Sequence, residues 1–170
     1  MSFKDKMNEL QFVERRMALN KDYFQEFFTF NKKSALDALS YLIDNATKSI
    51  EIYHKPLAEN DDNFKTNQVL SSLRNNSTAK ISYYTSFDKK DKVSKEDNVK
   101  LIKKYIGKNT EIVDLDVGDN VLYHHKEMVI DIKYLIITSL NFLTNSVTTE
   151  TIKNVFWLEN FSIWVKRSGK

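Results

Sequence analysis

A chain of 170 residues, 41% of them hydrophobic and none of them cysteine, can bury the core of one compact domain but not of two, and it has no disulfide or thiol chemistry. A formal charge of +3 is too small to identify a partner by itself. The N-terminal stretch MSFKDKMNELQFVERRM is charged throughout, unlike a signal peptide, and no apolar run is long enough to cross a bilayer, so the expectation is a cytoplasmic protein with no membrane partner.

Residues 3 to 30 read as one or two helices, with Met7, Leu10, Val13 and Met17 on one apolar face, followed by the aromatic cluster Tyr23, Phe24, Phe27, Phe28 and Phe30. This predicts a helical extension over 1–34 packed on a domain over 35–170. In that domain the pattern predicts helix 35–46, strand 49–53, helix 64–74, strand 79–84, helix 95–107 and strand 110–114. Two apolar runs, Met128 to Ile130 and Leu135 to Ile137, predict a hairpin, and Val155 to Trp157 and Phe161 to Val165 predict two last strands. Alternating helices and strands predict an α/β fold, a mixed central sheet with helices on both faces.

The hairpin carries the most specific signal in the chain. His124 and Lys126 are separated by one residue, Asp131 follows after four more, and Ser139 and Asn141 repeat the one-residue gap. Alternation along a strand points His124 and Lys126 the same way, and likewise Ser139 and Asn141. With a loop at 132 and 133, position 130 pairs with 135, which sets Lys126 opposite Ser139 and His124 opposite Asn141 at the open end of the hairpin. Asp131 has the opposite parity and lies at the turn, where it is expected to fix the loop through nearby backbone with no direct chemical part.

This spacing resembles the signature of the phospholipase D superfamily: His, any residue, Lys, four residues, Asp, then Gly-Ser-any-Asn six residues later. Here the last element is Thr138-Ser139-Leu140-Asn141, and Thr138 stands where the family usually has Gly. Upstream, Leu36, Leu39, Leu42 and Ile43 lead into strand 49–53 as such domains usually open. The resemblance covers roughly residues 35 to 165.

The resemblance implies a phosphodiesterase whose imidazole attacks phosphorus, giving a phosphohistidine that water then cleaves. Lys126 would be the fixed cation that stabilises the phosphoryl oxygens, and Ser139 and Asn141 would add hydrogen bonds to the same oxygens. The leaving oxygen needs a proton, so a second His is required. One copy of the motif implies a homodimer that brings together two copies of His124. Small one-motif members are metal-independent nucleases, which implies no metal, no cofactor and a nucleic-acid partner, with DNA ahead of RNA. Such nucleases also use a Glu about a dozen residues past the motif Asn; the ungapped match falls on Thr151 to Lys153, which leaves Glu150 as the candidate and Asn154 as a partial substitute. Thr138 and this shifted Glu keep open a catalytically inactive nucleic-acid-binding or assembly domain, and the shared chemistry keeps open a phospholipid-cleaving enzyme.

Lys89, Lys90, Lys92 and Lys95 crowd a predicted loop, with Lys100, Lys103, Lys104 and Lys108 on the helix after it. A solvated loop is the plain reading; beside a phosphodiesterase site, these lysines become a path for a nucleic-acid backbone. His125 faces away from Lys126 and is expected to be structural. His54, after the first strand, reads as a loop histidine, with approach to the same sheet face as the alternative. No spacing here matches a zinc site.

Overall fold

The computed structural model describes residues 12–16, 24–30, 32–57, 64, 67–87, 94–115, 125–138, 141–143 and 161–166. In chain order these form β1 (Phe12–Arg16), β2 (Phe24–Phe30), α1 (Lys32–Asp44), β3 (Ser49–His54), α2 (Gln68–Asn75), β4 (Lys80–Thr85), α3 (Lys95–Tyr105), β5 (Glu111–Asp114), β6 (Lys126–Ile130), β7 (Tyr134–Thr138) and β8 (Phe161–Lys166). The strands make one eight-stranded sheet in the order β1-β2-β8-β7-β6-β3-β4-β5. Strands β3, β4 and β5 run parallel, joined through α2 and α3, and the other neighbouring pairs are antiparallel. The α/β class with a mixed sheet flanked by helices is as expected.

The N-terminal segment departs from expectation. Where helices were expected over 3 to 30, the described residues Phe12–Arg16 and Phe24–Phe30 are strands. Strand β2 pairs antiparallel with β8 from Phe24↔Lys166 to Phe30↔Phe161, so the stretch is an integral part of the sheet. Aromatic residues favour a pleated surface, and a long-range partner decides between strand and helix where local spacing permits either.

Burial in β3 alternates: Ile50, Ile52 and His54 are buried while Ser49, Glu51 and Tyr53 are partly exposed. Met128 and Ile130 of β6 and Ile81 and Tyr83 of β4 join them in one core with Leu36, Leu39 and Ile43 of α1, Val69, Leu70 and Leu73 of α2 and Ile102 of α3. Each such side chain stabilises the fold by roughly 1.5–3 kcal/mol on burial. On the other parity, Tyr53 and Tyr84 stack with ring centroids 4.6 Å apart, and Ile137 is 44% exposed.

Helix ends are set by side chains. Asn67 caps α2, its side-chain oxygen accepting from Leu70 N at 2.9 Å. Ser94 caps α3 through Asp97 N at 3.1 Å, with Glu96 and Asp97 in the first turn and Lys103 and Lys104 in the last, both signs favourable to the helix dipole. Asn76 closes α2 by donating to Ile43 O and Ala46 O while accepting from the backbone of Thr78 and Ala79, which ties α1, α2 and the entry to β4 together.

Candidate functional site

The buried parity of β3 ends on a polar residue, His54, which is fully buried. It pairs across the sheet with Lys126, the first residue of β6, itself only 7% exposed. Carried one residue beyond Tyr53↔Tyr84, the β3–β4 register brings the fully buried Thr85 to the other side of His54. A polar row, Thr85, His54 and Lys126, therefore replaces the apolar rows Tyr83, Ile52, Met128 and Ile81, Ile50, Ile130 at the carboxyl ends of the parallel strands. In open α/β sheets ligands bind at that edge.

The His54 ring is fixed from several directions. Its Nδ1 lies 2.9 Å from the Lys55 carbonyl oxygen, which can only accept, so the proton sits on Nδ1. Tyr83 donates its hydroxyl to the same carbonyl at 2.7 Å, with its oxygen 3.5 Å from Nδ1, and Phe142 meets the ring edge-on at 5.3 Å between centroids. The histidine read from sequence as a loop residue is thus the buried end of β3, beside the motif lysine. Continuing the alternation Ile50, Ile52 by one more step would have found it.

Asn141, Phe142 and Leu143 arrive at the same edge after β7, with Phe142 and Leu143 fully buried. Asn67 holds this segment by donating its side-chain amide to Phe142 O at 2.9 Å. Asn67 was not singled out from the sequence, where the helix is expected from 64; an Asn just before the apolar run is a capping signal that was there to use.

The hairpin register differs from expectation. Ile130 pairs with Tyr134, and the ladder runs to Glu127↔Ile137. One residue further, Lys126 faces Thr138 in place of Ser139. The cause is Asp131. Its backbone N–H donates to Ser49 O at 2.8 Å, and its carboxylate accepts from Thr47 N at 3.0 Å, Lys48 N at 2.7 Å and Ser49 N at 3.1 Å. Committed to the start of β3, Asp131 cannot pair across the hairpin. The turn closes by Lys133 N→Ile130 O at 2.9 Å, with Asp131 and Ile132 both left-handed at φ 54° and 57°.

Asp131 therefore fixes the loop through backbone, but through backbone more than 80 residues earlier. It sits at the opposite end of β6 from Lys126, about 16 Å away at 3.3 Å per residue. Burial pushes its carboxyl up, but the N–H groups of Thr47, Lys48 and Ser49 with the Thr47 hydroxyl outweigh that and hold it below the usual carboxylate value. His125 has the other parity, exposed, with Nδ1 3.1 Å from Glu127 Oε1. Lys95 opens α3 in an ion pair with Asp114 at 2.6 Å and 5.4 Å from the centroid of the Phe87 ring. His124, Ser139, Glu150, Lys89, Lys90 and Lys92 lie outside the described residues.

No family model and no curated protein matches the sequence. Solved structures do. NucT from Helicobacter pylori is 17% identical over 89% of this chain and 86% of that one, with a TM-score of 0.49. TrmBL2, an archaeal chromatin protein with a novel mode of DNA binding, is 11% identical over 96% and 52% of the two chains at 0.42. The phosphatidylserine synthase of Haemophilus influenzae Rd KW20 is 11% identical over 98% of this chain at 0.51, and this chain spans 38% of it. At such identity the likeness concerns the fold alone, and the synthase carries it: a mixed β-sheet flanked by helices in an α/β fold.

Proposed function

We propose that the chain is a phosphodiesterase of the phospholipase D type, a metal-independent endonuclease working as a homodimer. The observation that carries this reading is the meeting, at the carboxyl edge of the parallel strands, of a buried Lys126, a buried His54 and the Asn141–Leu143 turn, in a chain whose motif has the family's spacing. Lys126 brings a positive charge to this edge, and a phosphate carries the negative charge and acceptor oxygens that an ammonium group binds.

In this mechanism the His124 imidazole attacks phosphorus and forms an N–P bond as the P–O ester bond breaks. The departing alkoxide takes its proton from His124 of the partner subunit. Water then attacks the phosphohistidine, the N–P bond breaks, and the partner imidazole accepts the water proton, which restores both rings. Lys126 and the Ser139 and Asn141 side chains stabilise the charge gathered on the phosphoryl oxygens. Lys89, Lys90 and Lys92 guide the backbone of DNA, and Glu150 orients the His124 ring.

Cleavage of labelled single- and double-stranded DNA and RNA in EDTA, with His124→Ala beside the parent, tests this reading. Cleavage in EDTA by the parent alone is expected, with a covalent adduct that survives an alkaline quench and is lost in acid. Activity that survives His124→Ala sinks the mechanism, and activity lost in EDTA sinks metal independence. Turnover of a phosphatidyl substrate with none of nucleic acid moves the reading to phospholipid chemistry.

A further inference from the structure

Asn67 is a buried amide, 2% exposed, with both ends of its side chain engaged. The oxygen accepts from Leu70 N at 2.9 Å and starts α2; the nitrogen donates to Phe142 O at 2.9 Å, 75 residues along the chain. A capping residue needs only an oxygen, so the second bond is extra to the helix. The residue it grips follows Asn141 directly, and the Phe142 ring in turn meets His54, the cross-strand neighbour of Lys126. One carbonyl thus links the turn bearing the motif Asn to the start of α2, while one aromatic edge links it to the row bearing the motif Lys.

We propose that Asn67 is a positioning residue for the phosphate-binding turn: through Phe142 O it fixes the Asn141 segment relative to Lys126. The inference rests on the phosphodiesterase reading above. Donors must be held close to the place where charge develops, and a displacement of about 1 Å can cost 100-fold in rate.

Asn67→Ser and Asn67→Asp separate the two bonds. Both replacements keep a good capping oxygen; the ionised Asp carboxylate cannot donate to Phe142 O and repels it, and Ser lacks the amide nitrogen that reaches that carbonyl. With bis(p-nitrophenyl) phosphate as substrate, both variants should lose kcat by roughly 10- to 100-fold with little change in KM. Amide hydrogen exchange should accelerate at Phe142 and Leu143 while the amides of α2 keep their protection. Parent-like kcat in either variant, or acceleration spread equally through α2, overturns the proposal, because capping alone would then explain Asn67. A parent without phosphodiesterase activity refutes the proposed function instead, and unchanged exchange at Phe142 and Leu143 still refutes the positioning.

Discussion

Replacing Asp131 by asparagine tests the assignment of the motif's acidic residue to the fold instead of the chemistry. Asn tolerates the left-handed backbone that Asp131 adopts at φ 54°, so the turn conformation is kept. If the amide oxygen takes the place of Oδ1, the bonds to that atom from Thr47, Lys48 and Ser49 survive without their charge, while the bond from Thr47 N to Oδ2 gives way to an amide nitrogen, donor against donor. Hydrogen bonds to a charged group contribute about 1.5–3 kcal/mol each, and these are partly exposed and coupled, so Asp131→Asn should cost about 2 kcal/mol. With an m-value of about 2 kcal/mol/M, the urea midpoint followed by tryptophan fluorescence should fall by about 1 M. The folded carboxyl titrates below its unfolded value, so its contribution is complete above the unfolded value of about 4 and is lost as pH falls from there through the folded value. The gap between parent and variant should accordingly be widest near neutral pH and close in acid. Equal stability at pH 7 refutes the energetic argument. A loss of kcat in fully folded variant refutes the assignment, since a group about 16 Å from Lys126 cannot touch the phosphate.

Lys126→Met keeps the length of a nearly buried side chain and removes its charge; activity should fall by about 100- to 1000-fold, and retained activity would show that phosphate charge is met elsewhere. Ile132 is 70% exposed at φ 57°, a conformation that costs a β-branched residue about 1–2 kcal/mol, so Ile132→Asn should raise the melting temperature by about 2–4 °C in a thermal scan. Light scattering should give twice the chain mass, and a monomer with full activity would contradict pairing of two His124 rings.

The middle of the chain was legible because its signals are local. Alternation in Ile50 and Ile52 and the two apolar runs of the hairpin each specify their element within a few residues. The N-terminal aromatic stretch was not, since Phe24, Phe27 and Phe28 are spaced for a helix as well as for a strand, and the partner that decides is β8, about 130 residues later. The hairpin register slipped for the same reason: the residue that sets it, Asp131, is bound to Thr47, Lys48 and Ser49, which no reading confined to the hairpin could include. At the candidate site, motif spacing singled out Lys126 and Asn141; strand alternation and a capping signal were there locally for His54 and Asn67, but their place beside Lys126 and Asn141 follows only from β3, α2 and the turn after β7 meeting at one edge.

Strand β8 lies between β2 and β7, so a piece from late in the sequence closes a gap between one from its start and one from its middle. During synthesis the ribosome must extend the chain through residue 166 before β2 can be sewn into the sheet. Until then its edge, like that of β7, offers unsatisfied amides to any neighbouring nascent chain, which makes this interval the time at which a chaperone matters most.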